Sequence, residues 1–152
     1  MTYALRSCSG QGRSVDVTVV LRNGAPSSGL PAYVADARSD DVAYGAAKPV
    51  PGQNRSLLAV MLTQGAQLRS ATLDGRPIGT SPGPGGSSAP YLQLSTERGH
   101  PVFSMFVDLR SKATATLVLS ISEPPSDEPP LLLRQPMPQP QVLSSTGRCA
   151  GS

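Results

Sequence analysis

Tryptophan is absent from this chain, and aromatic residues of any kind make up only 4% of it. The usual platforms for stacking sugar rings or nucleotide bases are therefore reduced to Tyr3, Tyr33, Tyr44 and Tyr91. Histidine occurs once, as His100, and cysteine twice, as Cys8 and Cys149, too few for a conventional zinc site. Charge is sparse as well, at 15% of residues with a formal net charge of +3. The arginines, from Arg6, Arg13 and Arg22 through Arg55, Arg69 and Arg76 to Arg98 and Arg110, are scattered and read as solvated. With no basic run and no interleaved aromatics, nucleic-acid binding is not expected. No window approaches the roughly 20 apolar residues that span a bilayer. Met1 is not followed by a charged segment and an apolar core, so no signal peptide is evident. The chain then reads either as cytoplasmic or as a piece of a longer exported protein.

What is present is glycine and proline, 15 and 16 residues, among short alternating apolar runs. That mixture favours strands and long loops over helices, in a single domain large enough to bury a core. The stretch around which the rest is organised is 101–122, PVFSMFVDLRSKATATLVLSIS. Phe103, Met105, Val107 and Leu109 share one parity; Leu117, Leu119 and Ile121 share another. Period two marks strands with one buried face, and the charged link Asp108, Arg110, Ser111 and Lys112 predicts a β-hairpin here.

Val15, Val17, Val19 and Leu21 alternate with polar residues as a first strand, stopped by Asn23-Gly24. A long connection follows, in which Pro31 suits the start of one helical turn with Leu30, Tyr33 and Val34 on its apolar side. The continuous run at 57–62, LLAVML, predicts a strand covered on both faces. Asp74-Gly75 predicts a two-residue hairpin turn between 67–73 and a return strand at 76–80. Residues 81–90 read as a flexible loop, and 91–95 as a short edge strand. Beyond Glu123 the chain is proline-rich; Leu131 to Leu133 and Val142-Leu143 suit a groove plug or an added edge strand. The expectation is an all-β fold, an antiparallel, immunoglobulin-like β-sandwich with long loops and a Pro-rich C-terminal segment. Its domain spans 14–144, between an N-terminal flank at 1–13 and a tail at 145–152.

The succession APSSGLPAYV, NRSLLAVMLTQGAQLRSATLDGRPIG, ERGHPVFSMFVDLRSKATATLVLSISEP and LLLRQPMPQPQV resembles the C-terminal region of a family of uncharacterised envelope proteins from high-GC Gram-positive bacteria. That family is catalogued as a domain of unknown function, and the resemblance covers residues 15–143. It implies an exported β-domain detached from a membrane anchor outside this chain. It brings no assigned activity, cofactor or functional residue.

In an exported domain Cys8 and Cys149 would close a ring of almost the whole chain, with about 4–5 kcal/mol as the chain-entropy ceiling. The alternatives are two free thiols or a bridge between chains. His100, in a Gly-His-Pro turn without a nucleophile motif nearby, reads as a solvated turn residue. Asp36, Asp40 and Asp41 lack the spacing of a calcium loop and read as solvated charges. Asp108 and Glu97 are the nearest thing to paired carboxylates, with nothing to make them converge. Gly83, Gly85 and Gly86 sit among prolines that remove amide donors, which excludes a phosphate cradle. Asn54-Arg55-Ser56 is a formal sequon, coincidental in a bacterial chain. The PMPQP stretch reads as an edge cover before a polyproline ligand.

The function expected is a non-catalytic, extracytoplasmic interaction or scaffold module of a larger cell-envelope protein, without cofactor or metal. Its partner would be a protein or a cell-envelope polymer, with the membrane met only through the outside anchor. The alternative is a carbohydrate- or polymer-binding module using Tyr33 and Tyr44, which share one loop. An enzyme is disfavoured, since no acid, base or nucleophile set is visible.

Overall fold

The computed structural model describes residues 1–31, 50–82, 90–133 and 140–149. Nine strands run through them: β1 (Thr2–Ser9), β2 (Gly12–Arg22), β3 (Asn54–Met61), β4 (Gln67–Leu73), β5 (Arg76–Pro77), β6 (Gln93–Glu97), β7 (His100–Leu109), β8 (Thr114–Glu123) and β9 (Ser144–Thr146). They form a six-stranded sheet in the order β5-β4-β8-β2-β1-β9 and a three-stranded sheet in the order β3-β7-β6. Pairing is antiparallel except between β1 and β9, which run parallel. There is no helix among the described residues.

The two sheets meet as a sandwich because each strand keeps one apolar parity and turns it inward. Val15, Val17 and Val19 of β2 and Leu117, Leu119 and Ile121 of β8 come from the large sheet; Phe103, Met105, Val107 and Leu109 of β7 face them from the small one. All are under 9% exposed, and Leu119 and Val15 are completely covered. Each such side chain contributes about 1.5–3 kcal/mol of burial before entropy is subtracted.

The alternating residues at 101–122 are buried as expected, but they do not form a hairpin. β7 pairs with β3 and β6, while β8 pairs with β2 and β4 in the other sheet. The link at 110–113 is therefore a crossover between layers. Period two states which face of a strand is buried; two inward faces are satisfied across the core as well as side by side. Asn23 holds the crossover in place. Its Nδ2 lies 2.9 Å from the Leu109 carbonyl, 3.0 Å from that of Arg110 and 2.6 Å from that of Gly52, and its backbone amide donates to Ala113 O at 2.9 Å.

The hairpin partner of β7 is β6, joined through Arg98-Gly99, both at positive φ. Asp74-Gly75 makes the β4–β5 turn with φ of 51° and 76°, and Asp74 Oδ1 accepts the Thr116 amide at 2.8 Å. The return strand β5 is only two residues long, shorter than expected; just past it Ile78 still donates its amide to Ala71 O of β4 at 3.0 Å, and Gly79 O takes the Leu92 amide at 2.9 Å. The polar flank at 1–13 carries β1 and the start of β2, with Tyr3 buried at 6% exposure among the core residues. The tail carries β9, whose parallel register sets Thr146 beside Ala4. The loop turn expected at Leu30, Tyr33 and Val34 and the flexible loop expected at 81–90 fall mostly outside the described residues.

Candidate functional site

The run at 57–62 departs from a core-only distribution of apolar side chains within a regular strand. Strand β3 buries Val60 and half-buries Leu58, but Leu57 and Met61 stand 60% and 51% exposed. The expectation that both faces of this strand are covered is thus corrected: β3 lies at the edge of the small sheet, with no layer outside it among the described residues. Across the β3–β7 register Leu57 faces Phe106, itself 58% exposed, and Met61 faces Val102. The row between them is Ala59, Ser104 and Gln93. The outer face of the small sheet is therefore apolar along β3 and β7.

Arg55 and Asp108 close one end of that face. The guanidinium donates through Nε to Oδ1 and through Nη2 to Oδ2, both at 2.8 Å. That two-pronged hydrogen bond is the main reason the Asp108 carboxyl is held below the usual carboxylate range, against the opposing effect of partial burial. The outer face of the large sheet is different in kind. There Thr2, Thr18, Val118 and Thr72 form a row across four strands, and Asp16 accepts from Ser120 Oγ at 2.7 Å and from Arg6 Nε at 2.8 Å. The Ser120 hydroxyl is the leading cause of the lowered Asp16 pKa, with Arg6 adding to it and desolvation opposing.

A second polar arrangement was invisible in the sequence because it draws on residues read as a flank and as a solvated arginine. Arg13 is buried, pairing through Nη2 with Glu123 Oε2 at 2.9 Å, and Tyr3 donates to the same oxygen at 2.6 Å. Arg13 Nη1 reaches the backbone carbonyls of Ser126 and Glu128, which pins the start of the Pro-rich segment to the sandwich. Arg13 Nε is buried without a hydrogen-bond partner among the described residues. Burial first, and the bond to Glu123 second, push the Tyr3 hydroxyl well above its ordinary pKa. The group is closed to solvent and serves structure.

The sequence candidates separate clearly. Cys8 and Cys149 are joined in a disulfide with their Cα atoms 5.7 Å apart. Tyr33 and Tyr44, and with them Asp36, Asp40 and Asp41, lie outside the described residues. Tyr3 is withdrawn from stacking by its burial. His100 is not a solvated turn residue; it opens β7, half-buried, with Nδ1 2.9 Å from the Leu62 carbonyl. Glu97 pairs with His100 at one end of β7 and Asp108 lies near the other, roughly 27 Å away at about 3.4 Å per residue. The two carboxylates do not converge. Of the apolar tail residues, Leu132 packs on the core while Leu131, Leu133 and Val142 are exposed. No group of three or more potential metal ligands occurs among the described residues, and no helix there is long and apolar enough to cross a membrane. No family model, no curated protein and no solved structure matches this chain.

Proposed function

We propose that this chain is a non-catalytic, extracytoplasmic β-sandwich of immunoglobulin-like type that serves as an interaction or scaffold module of a larger cell-envelope protein. The observation that carries the reading is the apolar outer face of the small sheet, built from Leu57, Met61 and Phe106. The core does not use these side chains. Contiguous apolar surface of this kind marks a place where something else is met. The Cys8–Cys149 bridge supports an oxidising home, since structural disulfides are rare where thiols are kept reduced. The resemblance of residues 15–143 to anchored envelope proteins supports the same location, with the membrane reached through an anchor outside this chain.

The test is co-sedimentation of the purified, oxidised chain with envelopes isolated from its own cells. The expected result is a bound fraction that falls several-fold in Phe106→Glu, whose melting temperature stays that of the parent because residue 106 is solvent-facing. Equal binding of parent and variant, or none by either, overturns the reading. Free thiols at Cys8 and Cys149 in protein taken directly from cells would remove its extracytoplasmic half.

A further inference from the structure

We infer that β3 is a self-pairing edge, through which two copies of this chain join their small sheets into one. The inference rests on the reading of the small sheet as the part of the domain that meets partners, and it names a second copy as the occupant of its edge.

The direction of the backbone groups follows from one bond. Leu62 donates its amide to Pro101 O at 2.9 Å, and Leu62 opposite Pro101 continues the register in which Met61 faces Val102. Hydrogen-bonded and non-bonded pairs alternate along an antiparallel ladder. The even-numbered residues of β3 therefore turn N–H and C=O toward β7, and Leu57, Ala59 and Met61 turn theirs to the free edge. No backbone partner for these three exists among the described residues. The same alternation accounts for Leu92, at the entrance to β6, whose amide points away from β7 and is taken by Gly79 O at 2.9 Å.

Every other sheet edge is short or guarded in the way that prevents strand addition. β5 has two residues, one of them Pro77; β9 has three; β6 has five and ends in Glu97. Strand β3 has eight residues, contains neither proline nor lysine, and pairs with β7 without a bulge.

The occupant is a second copy because the edge is complementary to itself. A two-fold axis at Ala59 sets Ala59 against Ala59 and Leu57 against Met61 of the other copy. Each of the three residues then donates and accepts once across the axis, so every free group on this stretch is used. The smallest side chain falls on the axis, where it meets its own copy. Apolar residues flank it on the solvent face, and the single charge nearby, Arg55, lies outside the paired stretch and is neutralised by Asp108. The product is one continuous sheet running β6-β7-β3-β3-β7-β6, an isologous interface of the kind closed dimers use.

Sedimentation velocity on the full oxidised chain, from low to high micromolar concentration, tests this. The parent is expected to pass from monomer to dimer. Ala59→Pro removes an outward-facing donor without touching the β7 ladder, and Ala59→Lys sets two ammonium groups against each other on the axis. Each is expected to weaken association at least about tenfold with the fold intact by circular dichroism; a tenfold change corresponds to about 1.4 kcal/mol. Should Ala59→Pro fail to fold, Ala59→Lys and Ala59→Cys carry the test, because their side chains project into solvent. Residues opposed in a bonded pair have Cα atoms about 5.5 Å apart, so Ala59→Cys is expected to cross-link two copies on mild oxidation, and Ser95→Cys on β6 is not. A parent that stays monomeric over the whole range overturns the inference, as does a dimer that Ala59→Lys leaves intact. Neither result bears on envelope binding through Phe106, which is measured separately and sits on β7 away from the edge.

Discussion

Tyr3 and Glu123, 120 positions apart in sequence, share a buried hydrogen bond of 2.6 Å that ties the first strand to the end of the last long one. Glu123 is simultaneously the ion-pair partner of Arg13, whose other guanidinium nitrogen holds the chain just beyond β8. One carboxylate oxygen thus organises the point where the regular sandwich ends and the Pro-rich segment begins. A buried pair of this sort adds little net stability over an apolar replacement, but losing one partner is expensive.

Tyr3→Phe is expected to lower stability by about 1–3 kcal/mol, since it takes a donor from a buried carboxylate and leaves nothing in its place. For a domain of this size that is roughly 2–4 °C in melting temperature per kcal/mol. The pH dependence has a defined sign. The hydroxyl's folded pKa is raised, so its contribution is complete below the ordinary tyrosine value of 10.0 and is lost as pH rises beyond it. Denaturant titrations at pH 8 and above pH 10 should show the parent losing more stability on the alkaline side than Tyr3→Phe does; parallel losses would disconnect Tyr3 from the effect.

Asn23→Ala should destabilise by a similar or larger amount, for a different reason. It strips the donor from carbonyls of Gly52, Leu109 and Arg110 at the place where the chain passes from one sheet to the other. Asn23→Asp is expected to be worse than Asn23→Ala, because an acceptor would then face those same carbonyls. Equilibrium unfolding in urea orders the two variants, and a harmless Asn23→Asp would show that the clamp is not needed.

These two sites also show where the sequence stops being legible. The burial of Val107 and Leu119 followed from period two, and the Asp74-Gly75 turn from the residues that tolerate positive φ. Both are local statements. That β7 and β8 lie in opposite sheets is a statement about partners, and the short link at 110–113 is compatible with a turn or a crossover. The run at 57–62 was ambiguous for a related reason: continuous apolar residues suit a strand buried on two faces and equally one whose second face meets a partner. The N-terminal strand has a weak signature, because only Tyr3 and Leu5 point to it and Ser7, Cys8 and Ser9 give no alternation. The disulfide was legible from its placement at the two ends; the parallel β9 that delivers Cys149 was not.

Asp16 and Asp108 make distinguishable contributions under acid. Both carboxyls are held below the ordinary 3.8, so the stability they lend is present above that pH and fades as pH falls through their folded values. Asp16 is held first by a hydroxyl and Asp108 first by a guanidinium. Ser120→Ala and Arg6→Gln should therefore each raise the Asp16 midpoint, while Arg55→Gln should raise that of Asp108. Carbon-detected NMR titration of the carboxyl groups reads each midpoint; an Asp16 that responds to Arg6 alone would show that the Ser120 hydroxyl does not hold it. The effect on global stability stays within about 1 kcal/mol per pair, because both lie at the surface.

The last prediction concerns the closing of the chain on itself. In the parallel register Thr2 faces Ser144 and Ala4 faces Thr146, which carries residue 149 alongside the end of β1 and brings Cys149 to Cys8. Gly147 makes the passage possible. Its φ is 84°, and a Cβ there would lie 2.8 Å from the Leu5 carbonyl oxygen, closer than any side chain tolerates. Gly147→Ala must therefore push the tail off β1 or strain the turn, and it is expected to slow bridge formation during oxidative refolding. Removing the bridge itself, by Cys8→Ser with Cys149→Ser, releases a loop of 141 residues' separation. The chain-entropy ceiling for that is about 4–5 kcal/mol, and β9, with only three paired residues, should be the first element to go. Hydrogen exchange resolves the two effects: amides of β1 and β9 should lose protection in the double variant while those of β2 and β8 keep it. Uniform loss across the large sheet would mean that the bridge supports the whole sandwich and not its closing edge.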